Sequence, residues 1–143
     1  LKGAGIPVVL ASAARVGGSF LSPLGFSERF YLGGADTVRG YPESLLGPRN
    51  IVGFATGGNA MVILNQEVRV PIYRWIRGVA FVDAGNVFAS NGDIRLQGLD
   101  VGYGAGLRLH TPFSILRVDL GLPTTPVSGR RTARWYFGLG HIF

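Results

Sequence analysis

Phe30-Tyr31-Leu32-Gly33-Gly34-Ala35-Asp36-Thr37-Val38-Arg39-Gly40-Tyr41 is the segment on which the reading of this chain turns. It combines three glycines, three aromatic residues and a single arginine. It lies inside a long connection, residues 17–57, between two regions of alternating hydrophobicity. A glycine-rich loop usually only turns the chain. Here Arg39 stands between apolar Val38 and conformationally free Gly40, the setting of a buried tip that aims one cation at a partner.

Outward from that segment the chain reads as strands. Six stretches alternate with period two: 6–16 (ending before Gly17-Gly18), 58–72, 77–88, 100–110, 114–122 and 133–143. In the second, Val62, Leu64, Val68 and Val70 share a face opposite Asn59, Asn65, Glu67 and Arg69, with Gln66 the one break. In the third, Ala80, Val82 and Ala84 oppose Arg77, Phe81 and Asp83. The fourth sets Val101, Tyr103, Ala105, Leu107 and Leu109 against Asp100, three glycines, Arg108 and His110. The fifth sets Leu116, Val118, Leu120 and Leu122 against Arg117 and Asp119. The sixth sets Trp135, Phe137, Leu139 and Phe143 against Arg134, Tyr136, Gly138 and Gly140.

A chain of 143 residues is one ordinary domain. It is 47% hydrophobic and only 15% charged, yet no apolar run reaches the roughly 18 residues of a membrane-spanning helix. Dispersing apolar residues by alternation is how a membrane β-barrel carries them. The net charge of +6 is almost all arginine, Lys2 being the one lysine. The arginines are spread along the strands, which is not the clustered footprint of a nucleic-acid binder. No cysteine is present, so disulfides and thiolate metal sites are excluded. No signal peptide is visible and the chain starts at Leu1, as in a mature or trimmed product or the tail of something longer.

The connections discriminate between a soluble sandwich and a membrane barrel. In order they run long (17–57), short (73–76), long (89–99), short (111–113) and long (123–132). Long loops on one side and short turns on the other mark an outer-membrane barrel, with the short turns and both chain ends periplasmic. Tyr73 and Trp75 fall where an aromatic girdle would lie. Six strands are too few to close, since about eight is the practical minimum. An open edge in lipid leaves backbone groups unpaired at several kcal/mol each. The expected fold is therefore all-β, an antiparallel transmembrane barrel of which residues 1–143 form one part, completed by more of the same chain or by another copy.

Several landmarks give this expectation a family. Val38-Arg39-Gly40-Tyr41 resembles the VRGF/VRGY loop of the BamA/TamA superfamily. Gly57-Gly58-Asn59-Ala60 with Asn65-Gln66-Glu67-Val68-Arg69-Val70-Pro71 is similar to that family's "GGNA…E.R.P" strand. Phe81-Val82-Asp83-Ala84-Gly85-Asn86-Val87-Phe88 resembles its "F.DaGnv" strand. Gly104-Ala105-Gly106-Leu107-Arg108 with Thr111-Pro112, and then Arg117-Val118-Asp119, match its next two strands. The chain ends on Phe143, similar to the terminal aromatic that barrel-assembly machinery reads. The resemblance spans residues 28–143 and is slightly closer to TamA-like members.

The resemblance implies the C-terminal six strands of a barrel of roughly sixteen, in the outer membrane of a Gram-negative-type bacterium rather than of an organelle. It implies non-enzymatic insertion of nascent barrel proteins, or translocation of polypeptides, with outer-membrane lipids and the rest of the barrel as partners. POTRA domains and the preceding barrel strands are not in this sequence. By motif, Arg39 is the loop arginine held in the lumen by Asp83 and Glu67, and Gly33, Gly34, Gly40 and Tyr41 shape its loop. The residue pattern agrees, because Asp83 and Glu67 both fall on polar faces of adjacent strands. The alternatives are that Arg39 caps a surface loop and that Asp83 pairs with Arg77 or Arg108. Gly138, Gly140 and Phe143 belong to a last strand whose seam with the first would open and template a client strand. Simple clearance in the lumen is the other account of those glycines.

Other features carry less. Gly102-Tyr103-Gly104-Ala105-Gly106 looks like a phosphate loop but lies mid-strand, with no helix after it and no Lys-Ser/Thr. His110 and His141 have neither triad partners nor metal-ligand spacing, so no catalytic residue, cofactor or metal is expected. Arg130, Arg131 and Arg134 read as a solvated loop, with lipopolysaccharide phosphate as a lesser reading. A passive pore formed by self-association is the alternative function, and a soluble all-β binding domain a third.

Overall fold

A computed structural model describes residues 5–20 and 23–140. Six strands form one antiparallel sheet in strict sequence order. They are β1 (Val9–Gly18), β2 (Ala60–Tyr73), β3 (Ile76–Phe88), β4 (Asp100–His110), β5 (Ile115–Pro123) and β6 (Arg134–Leu139). Among the described residues β1 and β6 do not pair, so both are edges of an open sheet. The alternating pattern put all six in place because a sheet with two unlike faces must carry a period of two.

Most strand limits shift by a residue or more from the sequence expectation, β1 starting at Val9 rather than at residue 6, and two of the shifts involve glycines. β1 continues through Gly17 and Gly18, which pair with Met61 and Ala60. Those glycines do not end the strand; they make room, since a Cβ at Gly17 would meet Met61 and Phe30 at 3.0 Å. β6 ends at Leu139, and Gly140 stands beyond it at φ +81°. Gly140 is thus not a strand-interior glycine, although its N–H still reaches the Ile115 carbonyl at 2.7 Å. Phe143 and His141 lie outside the described residues.

The two faces of the sheet have opposite chemistry. Leu64, Val68, Val82, Tyr103, Leu107, Leu116, Trp135, Phe137 and Leu139 point outward and are exposed. The inner face carries Asn65, Glu67, Arg69, Asp83, Arg108, Arg117 and Asp119, all buried. This inverts the arrangement of a water-soluble sheet, whose buried face is the apolar one. The ends differ too. Tyr73, Trp75 and Phe113 sit exposed at the short turns, whereas the three long connections emerge at the other end.

The long first connection supplies what packs the inner face. It turns back onto the sheet, and Leu32, Val38, Tyr41 and Leu46 join Ile63 and Val87 in a buried apolar cluster. This cluster anchors the loop, while its polar tip lies deeper. A second cluster of Ala60, Val62 and Phe88 sits at the loop end of β2 and β3, against Ile94 and Leu99 of the next connection.

Candidate functional site: a loop arginine seated on the inner face

Arg39 is fully buried, so it does not cap a surface loop. Its Nε donates to Asp83 Oδ2 at 2.6 Å and its Nη2 to Asp83 Oδ1 at 2.9 Å, a bidentate pair. Its backbone N–H adds a third bond to Asp83 at 3.1 Å. Nη1 donates to Glu67 Oε1 at 2.7 Å and to Asp119 Oδ2 at 3.1 Å. The guanidinium carbon also lies 3.5 Å from the centre of the Phe81 ring. Burial alone would lower the pKa of this guanidinium; the hydrogen bonds and charge of Asp83, with Asp119 and Glu67, raise it above its ordinary value. Arg39 is a permanent cation in a site buried by the protein.

The register explains why three carboxylates converge. Asn65 faces Asp83, and Glu67 faces Phe81, across β2 and β3. Phe81 faces Gly104, and Asp119 faces Gly106, across the next two ladders. The inner face of β4 therefore presents glycine where neighbouring strands present acid or ring. A Cβ at Gly102 would run into the Arg39 carbonyl, one at Gly104 into Leu120, and one at Gly106 into the Asp119 carboxylate. On β5, a Cβ at Gly121 would lie 2.7 Å from the Gly40 nitrogen. Gly102 of β4 and Gly121 of β5 thus let the loop tip lie against the sheet backbone, while Gly104 and Gly106 leave room for Phe81, Leu120 and Asp119; the run lies mid-strand. Gly40 itself has φ +101° and its missing Cβ would press on Leu122 at 2.7 Å, so no other residue fits there.

Further basic residues complete the charge balance. Arg108 bonds Asp119 Oδ1 at 2.6 Å and Glu67 Oε1 at 3.0 Å, and does not pair with Asp83. Arg69 holds the other oxygen of Glu67 at 2.9 Å. Arg117 reaches the exposed carboxylate of Asp36 in the loop at 2.8 Å. Asn65 donates to Thr37 O and to Asp83, and accepts from Arg15. The upstream half of the loop is closed locally. Gly33 and Gly34, at φ +117° and +103°, let the Gly33 N–H reach Thr37 Oγ1 at 2.9 Å and the Ala35 N–H reach Glu43 at 3.2 Å.

Of the residues singled out in the sequence, Arg39, Asp83, Glu67, Gly33, Gly34, Gly40 and Tyr41 come together. The Tyr41 hydroxyl donates to Val101 O at 3.1 Å. Gly138 lies apart from the arginine, on β6, where a Cβ would sit 2.8 Å from the Arg117 guanidinium; its local role is clearance. Gly140 touches none of this, and among the described residues nothing lies within 4 Å of where its Cβ would be. Asp119, Arg108, Phe81 and Tyr136 belong to the site but were not assigned to it from sequence. The available signal was their shared polar face; which strands curve within reach of one arginine is not encoded in alternation. Among the described residues no group of His, Cys, Asp or Glu is arranged to hold a metal ion.

Comparison with known proteins agrees with this architecture. The profile of the Omp85 superfamily domain matches residues 5–143. The chain is 31% identical over 129 residues to the outer membrane protein assembly factor BamA of Nitratidesulfovibrio vulgaris, covering 81% of this chain and 15% of that protein. It is 28% identical over 132 residues to the chloroplastic outer envelope protein 80 of Arabidopsis thaliana, covering 87% of this chain and 16% of that protein. The crystal structure of BamA from Haemophilus ducreyi lacking POTRA domains 1–3 superposes with a TM-score of 0.68 at 22% identity, over 91% of this chain and 30% of that one. The chain thus spans under a third of each of these proteins, and over that span the match takes in both the strands and the inserted loop: it belongs to the Omp85 superfamily.

Proposed function

We propose that this chain is the C-terminal wall of a transmembrane β-barrel of roughly sixteen strands that inserts barrel proteins into an outer membrane or moves polypeptides across it. The observation that carries the reading is the seated arginine. A sheet with an apolar outer face holds its own loop on a charged inner face through Arg39, Asp83, Glu67 and Asp119. A passive pore or a barrel formed by self-association has no use for a plug built this way. The family relationship supports the same reading, since its relatives include a protein named as an outer membrane assembly factor. Residues 1–143 are then one unit with the loop of residues 17–57 as its brace.

In this reading the pinned loop keeps the C-terminal wall rigid while the last strand separates from the first strand of the barrel. The freed edge pairs with a client strand by β-augmentation. Each backbone hydrogen bond is exchanged for another, so no nucleotide or other cofactor is required and no catalytic residue is involved. The partners are outer-membrane lipids, nascent barrel proteins or translocated polypeptides, and the remainder of the barrel. The location is the outer membrane of a Gram-negative-type bacterium; the plastid relative makes an organelle envelope the competing one.

The test is a disulfide joining β6 to the first strand of the full-length barrel, reconstituted in liposomes. Oxidation is expected to stop insertion of a client barrel, and reduction to restore it. Undiminished insertion with the disulfide formed overturns the seam mechanism.

A further inference from the structure

The seated loop and the edge strand β6 are joined by one side chain. Tyr136 lies on the inner face of β6, opposite Asp119 on β5, and its hydroxyl is buried against the loop. That hydroxyl accepts a hydrogen bond from the Gly40 N–H at 2.9 Å and donates one to the Tyr41 carbonyl at 2.8 Å. Both bonds go to backbone groups immediately following Arg39. A phenolic hydroxyl has one proton to give and lone pairs to accept with, so it is engaged in both directions, by the peptide groups on either side of the Gly40-Tyr41 dipeptide. Gly40 is held on its other side by Leu122 and Gly121, so the loop cannot follow β6 outward without unseating.

We propose that Tyr136 is a positioning residue that makes seating of the loop and closure of β6 a single event. When β6 moves away from β5, the hydroxyl leaves Gly40 and Tyr41 and the tip loses its only bonds to β6 among the described contacts. When Arg39 leaves its carboxylates, β6 loses the same two bonds. Each event therefore favours the other. This rests on the seam reading above only for its consequence in insertion; the coupling itself follows from the two hydrogen bonds.

Hydrogen exchange on the full-length protein in lipid nanodiscs tests it, with wild type, Arg39→Ala, Tyr136→Phe and the double variant compared. The phenylalanine keeps the ring packing and removes only the hydroxyl. Exchange of the 134–139 amides is expected to rise about tenfold in each single variant, the scale of two buried hydrogen bonds, and no further in the double. Retention of the heat-modifiable folded band on a gel shows that each variant is folded. Multiplying effects in the double variant, or unchanged β6 exchange in Tyr136→Phe, overturn the coupling. The disulfide experiment reports separately: insertion indifferent to a pinned β6 removes the seam mechanism and leaves the coupling, whereas blocked insertion with β6 unresponsive to Tyr136 does the reverse.

Discussion

Glu67 and Asp119 stand on β2 and β5, with two strands between them, and are bridged twice: Arg39 Nη1 bonds both, and so does Arg108. Two carboxylates this close would repel if alone. Between two guanidiniums they become a brace across the inner face, and Arg39 is the member supplied by the loop.

Removing that member leaves three buried carboxylates short of a cation. Arg39→Ala is expected to destabilise the folded full-length protein by about 3–5 kcal/mol, the scale for breaking a buried pair. Arg39→Lys should fall between, because one ammonium cannot match the fork that spans Asp83, Glu67 and Asp119. Urea unfolding in detergent measures both; a loss under about 1 kcal/mol for alanine would mean the arginine does not hold the loop.

Salt separates the buried pairs from the exposed one. Asp36 is 79% exposed where it meets Arg117, so Asp36→Asn should cost less than about 1 kcal/mol and nothing measurable at high salt. Asp119→Asn should cost about 2–3 kcal/mol at any ionic strength, since it removes charged hydrogen bonds to Arg39 and Arg108 away from water. Parallel unfolding curves at low salt and near 1 M decide it; equal salt sensitivity would contradict the burial of Asp119.

Gly102 on β4 makes a steric prediction. Gly102→Ala drives a methyl into the Arg39 carbonyl and should dislodge the loop, exposing the Arg39–Gly40 bond to trypsin. Gly53→Ala is the control: its φ is +92° but nothing lies within 4 Å of the added carbon, so only about 1–2 kcal/mol of local strain is introduced and Arg39 stays protected. Peptide mass mapping reads the cut, and equal protection in both variants would show that Gly102 does not seat the loop.

Native mass spectrometry addresses the wall reading. The isolated 143-residue chain has two open edges and is expected to aggregate or remain unfolded in detergent. A discrete folded dimer or higher oligomer would instead favour a barrel completed by copies of this chain.

The strands were legible because the two faces face different media, so β4 alternates Val101, Tyr103, Ala105 and Leu107 with glycine and arginine along its length. Their ends were less so. Gly17 and Gly18 look like a terminator in sequence, yet they stay in the ladder because neighbouring side chains need their space. Glu67 and Asp83 are assigned by their resemblance to the family's motifs, and their places on the polar faces of adjacent strands agree with it. Asp119 was on the same polar face but 80 positions from Arg39, and its approach depends on sheet curvature and on Gly106 being bare. The glycine run reads as mid-strand in the sequence and lies within β4, while the use of Gly102 as a bed for the tip depends on backbone contact that no local pattern records.

The bed beneath the loop tip also sets a timetable. Arg39 can meet Glu67 and Asp83 as soon as the β2–β3 hairpin exists, but its seat has no floor until β4 is laid beside that hairpin. Its third carboxylate arrives only with β5, 80 residues downstream. Contacts of such long range form slowly. The tip is expected to seat fully only once β5 is in place, and a barrel halted earlier would display an unseated arginine as the mark of its incompleteness.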